Sequence, residues 1–255
     1  MSFYEHVRAD VLRHGAINNT YLTRFQAGEV TDREFREFAV ELYSFARFFP
    51  RILAAQLVNT EDEAVADELT KVLYSELGDG IVKHRHELLY RNFLRSIGID
   101  IHDAMHTPMK PSTRAYIQGM ERLYSSRHHA TALGASFGLE NMAITMWDHL
   151  IPGLAWLKQV RYPRMDMTYF TFHRQLESSH ERAMEHAMEA VGGTGVKVDA
   201  TMSEQEQRDF RFGMNAVLDY LEGFWMGLER KASGFRRSRP LPARQLASEL
   251  RGQSH

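Results

Sequence analysis

Apolar positions recur along most of this chain with the 3.6-residue period of amphipathic helices, and no segment sustains the two-residue alternation of a strand. Phe3, Val7, Val11 and Leu12 predict a short helix over 3–14, and Thr20 is expected to cap a second through about Ala27, ended by Gly28. Thr31, with Glu34 three positions on, makes a capping box. Behind it Phe35, Phe38, Ala39, Leu42, Phe45, Ala46 and Phe49 form one long stripe, which Pro50 is expected to kink before Ile52, Leu53 and Leu57 continue it. Thr60 is expected to cap the next helix, which has an acidic first turn and runs to Glu76, where Gly78 and Gly80 break it. Further helices are expected over 84–98, 113–127 and 128–150, with a connection at 99–112. Pro152-Gly153 is expected to set off a short apolar piece, 154–160; Pro163 opens a helix to Val191, and Ser203 caps a last one through Leu228.

The pattern is that of an all-α protein: a single bundle of seven or eight helices within residues 1–233, without a repeat of fixed period. Residues 234–255 are rich in Arg, Pro and Ser and are expected to be a basic, flexible tail.

Composition narrows the chemistry. A net charge of −2 over 255 residues gives no electrostatic case for nucleic acid as a partner. The chain has no cysteine, which removes disulfides, iron–sulfur clusters, thiolate zinc sites and cysteine nucleophiles together, and fits a reducing cytoplasm. No signal peptide is read at the start, and no apolar run is long enough for a membrane helix. The 13 histidines, in a chain without thiols, point toward nitrogen and oxygen ligation or acid–base work. Long amphipathic helices permit a homodimer without requiring one.

The clearest candidate chemistry lies at His173, Glu177 and His180, spaced i, i+4, i+7 and so stacked on one helix face. Two imidazoles and a carboxylate on one face suit a transition metal with open positions, although a solvated polar face would look the same. Other acids and histidines belong to the set only if they sit on core-facing sides of helices. Glu76 ends an apolar stripe in a last helical turn, where an acid is normally a surface residue; the dipole disfavours it there, a weak pointer that something else holds it. His86, ten residues on, shares a face with Leu89, Phe93 and Ile97; His84 competes for the same role. Glu140 stands alone among small and apolar residues, Ala135-Ser136-Phe137-Gly138-Leu139 before it and Ala143 after. Glu76, His86, Glu140, His173, Glu177 and His180 then make three carboxylates and three imidazoles, a sensible set for two iron or manganese ions. Tyr74, Phe137, Trp147, Tyr169 and Phe172 are candidate pocket walls. His14, the His128-His129 pair and His186 are set aside: the pair faces different directions, and His186 lies off the face of His173 and His180.

With these residues assembled, the chain resembles the heme-oxygenase-like diiron oxidases and oxygenases, the iron-containing redox enzymes of the heme oxygenase/thiaminase-like superfamily. Three motifs carry the resemblance: Glu76-x-Gly78-x-Gly80 leading to His86, the isolated Glu140, and His173-x3-Glu177-x2-His180. It implies a heme-oxygenase-like bundle whose six ligands hold two Fe(II) ions, with O₂ as co-substrate and a peroxo-diferric intermediate. The implied substrate is a small organic molecule: an amine or amino acid undergoing N-oxygenation or C–C cleavage, or a fatty acid. Some members carry a further carboxylate upstream of the Glu76 position; near residue 50 this chain has Phe48, Phe49, Pro50 and Arg51 instead. The competing readings are a non-catalytic ligand- or partner-binding protein and a metal-free oxidase of the same fold.

Overall fold

A computed structural model describes residues 3–190 and 202–229; over 177–190 the backbone is described, but side chains only at 182, 185 and 186. Ten α-helices and no strand order these residues: α1 (Phe3–Arg13), α2 (Thr20–Gln26), α3 (Asp32–Val58), α4 (Glu63–Glu76), α5 (His86–Ser96), α6 (Ile101–His106), α7 (Pro111–Tyr124), α8 (His129–Val160), α9 (Thr168–Ala190) and α10 (Glu204–Leu228). Of the ten, α2 and α6 are only seven and six residues long, so eight longer helices make up the bundle. The basic tail expected at 234–255 lies outside the described residues.

The strongest local signals form as the sequence dictates. Thr31 and Glu34 close a reciprocal capping box on α3, and Ser203 and Glu206 close another on α10. Elsewhere tertiary context overrides the local reading. Thr20 does not cap α2 but is its first residue; Asn19 takes the cap by accepting from the Leu22 N–H. Thr60 does not cap α4: its hydroxyl donates back to the Gln56 carbonyl, and Asp62 takes the cap by accepting from the Ala64 and Val65 N–H groups. The stretch read as a connection contains α6, because Asp100 accepts from the His102 and Asp103 N–H groups and starts a turn there. A 3-10 turn over Val82–His84 delays α5 to His86. The helix expected from Pro163 begins at Thr168, whose N–H donates to Asp166 Oδ1.

The largest departure is α8, which does not stop at Leu150 but passes through Pro152 to Val160. Proline removes one helical hydrogen bond and crowds the preceding turn, at a cost of about 3 kcal/mol. Leu150, Leu154 and Leu157 are fully buried on either side of it, and each contributes about 1.5–3 kcal/mol, so packing outweighs the break.

Helix α8 is the axis of the bundle, with its most extensive contact on α10 and a second on α9. The α8–α10 crossing depends on glycine. A Cβ at Gly134 would lie 2.0 Å from the Phe210 carbonyl oxygen, and one at Gly213 would lie 1.9 Å from that of Thr131. Around this seam Phe137, Phe210, Met214 and Val217 are buried. Helix α9 packs on α8, and α4 packs on α9 and α3; the polar residues of interest meet among these helices.

Candidate metal centre

The buried polar cluster is built at the end of α4. There Gly78, Asp79 and Gly80 take φ values of 92°, 51° and 77°, turning the chain back on itself. A Cβ at Gly78 would lie 2.6 Å from the Arg85 nitrogen, so the turn closes only around a residue without one. This reversal brings His86, at the first position of α5, against Glu76, at the last of α4. His86 Nδ1 lies 2.8 Å from Glu76 Oε2, and His173 Nε2 of α9 lies 3.8 Å from Glu76 Oε1. The two imidazole rings are 4.1 Å apart, centroid to centroid. Glu76, His86 and His173 are all at least 95 % buried, and each offers a donor atom within 4.8 Å of the others. His86, not His84, is the histidine brought to Glu76; His84 is half-buried beside the Phe172 ring.

Tyr169, one turn before His173, supplies the orienting contact. Its backbone carbonyl lies 2.8 Å from His173 Nδ1, so the proton sits on Nδ1 and Nε2 is the nitrogen turned toward Glu76. Trp147 and Tyr169 pack on the same ring at 5.4 Å and 4.2 Å. The neighbouring Arg174 makes two hydrogen bonds, of 2.6 and 3.2 Å, to the Asp148 carboxylate on α8, fixing α9 to α8 at the level of His173.

Glu140 of α8 reaches the same place from the opposite wall. It is 95 % buried and lines, with Glu76 and His173, a cavity of about 40 Å³ closed by Leu42, Phe45, Ala46 and Phe49 of α3 and by Met142, Ala143 and Met146 of α8. That volume holds a few waters or ions in an otherwise apolar shell. Burial, followed by the Glu140 charge, pushes the hydroxyls of Tyr116 and Tyr124 far above the usual phenol range, so both stay protonated. The α3 wall contributes no carboxylate: the apolar stretch noted around Pro50 continues a wholly apolar cavity face. Its one buried acid in that register, Glu41, accepts instead from the Lys110 N–H at the start of α7.

A metal fits these residues on the state of His86. Both its ring nitrogens are buried and neither makes a hydrogen bond, although a carboxylate oxygen is 2.8 Å away. Leaving such a group unsatisfied costs about 1–3 kcal/mol. A nitrogen close to a carboxylate but misaligned for hydrogen bonding is the arrangement of two ligands aimed at a common third atom. Imidazole and carboxylate donors without thiolate suit iron or manganese. The side chains of Glu177 and His180 lie outside the described residues, on the α9 backbone that continues from His173.

Other expectations are redistributed. Of the candidate walls, Tyr169 lines the cavity, Trp147 and Phe172 pack on the histidine rings, Phe137 belongs to the α1–α8–α10 core, and Tyr74 is exposed. His14 Nδ1 accepts from the Ala16 N–H and its Nε2 faces Asp219 at 3.3 Å, which ties the N-terminal segment to α10. One feature had no signature in the sequence: a buried Gln56–Ser136 hydrogen bond between α3 and α8 at the rim of a second cavity. Gln and Ser on two separate helices carry no spacing rule, so only their meeting in space reveals them. Among the described residues no helix is long and apolar enough to cross a membrane.

Comparison with known proteins bears on the family and the fold. The chain is 24 % identical over 221 residues to the 4-chloro-allylglycine synthase of Streptantibioticus cattleyicolor, covering 86 % of this chain and 80 % of that protein. Its fold is similar to that of a CADD-like protein of unknown function from Nostoc punctiforme, with a TM-score of 0.70 at 16 % identity over 88 % of this chain and 96 % of the other. It is also similar to a domain from Shewanella denitrificans with a heme oxygenase-like fold, with a TM-score of 0.62 at 16 % identity, covering 88 % and 87 % of the two chains. The sequence profile of the iron-containing redox enzymes matches residues 36–222, a span that runs from α3 through α10 and includes every residue of the cluster. The chain is therefore a member of the iron-containing redox enzyme family with a heme oxygenase-like, all-α fold.

Proposed function

We propose that this protein is a non-heme diiron oxidoreductase that uses O₂ to oxidise a small amine or amino acid. The observation that carries the reading is the buried convergence of Glu76, His86 and His173, with both His86 nitrogens unsatisfied. Glu76, His86, Glu140, His173, Glu177 and His180 would hold the metal. The iron, when bound, supplies the electrons that reduce O₂. The amino-acid class is favoured over a fatty acid by the similarity to a 4-chloro-allylglycine synthase, whose named product is an amino acid.

The chain's own residues supply orientation and exclusion. The Tyr169 carbonyl keeps the His173 proton on Nδ1, so Nε2 stays a donor to metal. Leu42, Phe45, Ala46 and Phe49 keep bulk water from the cavity, which strengthens electrostatic interactions inside it. Tyr116 and Tyr124, held protonated, place neutral hydroxyls rather than anions near Glu140.

Anaerobic loading with Fe(II) tests the reading. It predicts about two irons per chain and a transient visible absorption when O₂ is admitted. The absence of iron uptake, or uptake unchanged in His86→Ala and His173→Ala variants, would overturn it.

A further inference from the structure

A line of tyrosine rings in mutual contact runs from the candidate metal centre toward the surface. Tyr169 packs on the His173 imidazole with ring centroids 4.2 Å apart. Tyr90 of α5 meets Tyr169 edge-on at 4.6 Å, and Tyr43 of α3 stacks on Tyr90 at 5.7 Å with 23° between the ring planes. Each of the three tyrosines is at most 1 % exposed. Of the other rings against this line, Phe93 and Phe170 pack on Tyr90, and Phe170 also on Tyr169. A phenyl ring has no hydroxyl proton to release and gives up an electron far less readily than a phenol. Trp147 only returns to Tyr169 and His173.

The outer end of the line is an ion pair. Glu87, Tyr90 and Arg91 are spaced i, i+3, i+4 on α5 and share a helix face. The Tyr43 hydroxyl donates to Glu87 Oε1 at 2.7 Å. Arg91 Nε donates to the Tyr43 oxygen at 3.1 Å and also to Glu87 Oε1, which fixes the phenol against the carboxylate. The Glu87 and Arg91 side chains are 27 % and 33 % exposed, so the pair reaches solvent. The Tyr90 hydroxyl donates instead to the buried Ala39 carbonyl, which is no base for a phenol proton.

Burial, and then the bond to Glu87, raise the Tyr43 phenol above its ordinary range, so it is protonated at neutral pH. A phenol that loses an electron inside a core must also shed its proton, because an uncompensated charge is costly there. Tyr43 has a carboxylate placed to receive it.

We propose that Tyr43 is a redox-active tyrosine, joined to the metal centre through Tyr90 and Tyr169, that gives one electron to the centre when O₂ is reduced there without substrate. The electron reduces the oxidising centre by one. The hydroxyl proton passes to Glu87, leaving a neutral tyrosyl radical and a glutamic acid beside Arg91. A one-electron reductant of the thiol or ascorbate class, arriving from solvent, returns the electron, and Glu87 returns the proton. The use of this route rests on the function proposed above; the coupled oxidation of Tyr43 needs no iron.

Two arms test it. In the first, the metal-free full chain is photo-oxidised with ruthenium tris-bipyridine and persulfate and frozen for EPR. The parent is expected to give a tyrosyl signal that Tyr43→Phe removes, above the contribution of exposed Tyr74. Glu87→Gln, whose amide cannot take the proton, is expected to remove the same signal. A parent spectrum matching that of Tyr43→Phe, or a Tyr43 signal indifferent to Glu87→Gln, would overturn the proposal. In the second arm, the Fe(II)-loaded chain meets O₂ without substrate. The Tyr43 signal is expected again, and Tyr90→Phe, which keeps the packing but interrupts the line, is expected to remove it while leaving the photo-oxidised signal of the metal-free chain in place. Iron uptake without a Tyr43 signal, or with one that Tyr90→Phe leaves unchanged, would sink this proposal and spare the diiron reading. A Tyr43 signal in the metal-free chain without iron uptake would sink only the diiron reading.

Discussion

His86 concentrates the argument at the scale of single residues. Its two unsatisfied nitrogens are a liability without metal and an asset with it. His86→Leu is therefore expected to leave the metal-free protein as stable as before, or up to about 1 kcal/mol more stable, while iron uptake falls by half or more. Thermal unfolding and iron stoichiometry of the same preparation check this; a clear loss of metal-free stability would mean that the ring is held by contacts other than a metal. Glu34 makes a separate, acid-range prediction. Burial raises its carboxyl pKa, but hydrogen bonds from Thr31 and the Arg24 guanidinium outweigh burial and hold it below the ordinary value of 4.5. A lowered folded-state pKa contributes stability above the unfolded value, and that contribution is lost as pH falls through the folded one. Glu34→Gln should thus destabilise at neutral pH by about 1 kcal/mol and converge with the parent in acid, as read from denaturant melts across pH. The burial of Glu76, His86, Glu140 and His173 was legible because each lies on a helix whose apolar neighbours show which way it faces. Gln56 and Ser136 were not, since neither residue type nor spacing marks a pair made across two helices.

At the scale of elements, two backbone devices govern the site. The first is the left-handed run Gly78-Asp79-Gly80, which reverses the chain between α4 and α5. Gly78→Ala adds a Cβ 2.6 Å from backbone atoms in a conformation that L-residues avoid. It is expected to cost about 1–2 kcal/mol and to weaken iron binding as well, because it moves His86 relative to Glu76. Calorimetry with iron titration would detect both losses; loss of stability with iron affinity intact would show that the turn does not set the ligand geometry. The second device is the Gly134–Gly213 crossing of α8 and α10. Gly213→Val would force these helices apart and is expected to cost more than about 3 kcal/mol in a thermal melt. The helices themselves were readable from period and caps, and α3 and α10 follow their capping boxes. The errors came where burial competes with local signals: α8 runs through Pro152 because Leu154 and Leu157 are fully buried beyond it.

At the scale of the whole molecule, bundle and site are coupled, because the cluster draws on α4, α5 and α9 and shares its cavity with Glu140 of α8. A metal held by the proposed ligands would stabilise the folded state by mass action, by about 2.7 kcal/mol at a hundred times the dissociation constant. For a domain of this size that corresponds to a rise of roughly 5–10 °C in the melting temperature. The rise should appear on adding Fe(II) anaerobically, vanish with a chelator and be absent in His173→Ala. A melting temperature indifferent to iron would mean that the four helices do not share a metal.

The sequence by itself determined the helical class, the long amphipathic elements, and the acids and histidines placed on their inner faces, because a helix's period and caps are local properties of the chain. It also limited the chemistry to nitrogen and oxygen donors, since there is no thiol. Only the tertiary structure decided that His86 rather than His84 meets Glu76, that α3 lines the inner cavity with apolar residues alone, and that Gln56 and Ser136 meet between α3 and α8 at the rim of an outer cavity lined by Glu61, Asp62 and Glu206. Each of these depends on a turn of positive φ or on how closely two helices pack. Such choices are settled by contacts between residues far apart in the chain, and those contacts leave no periodic trace in it.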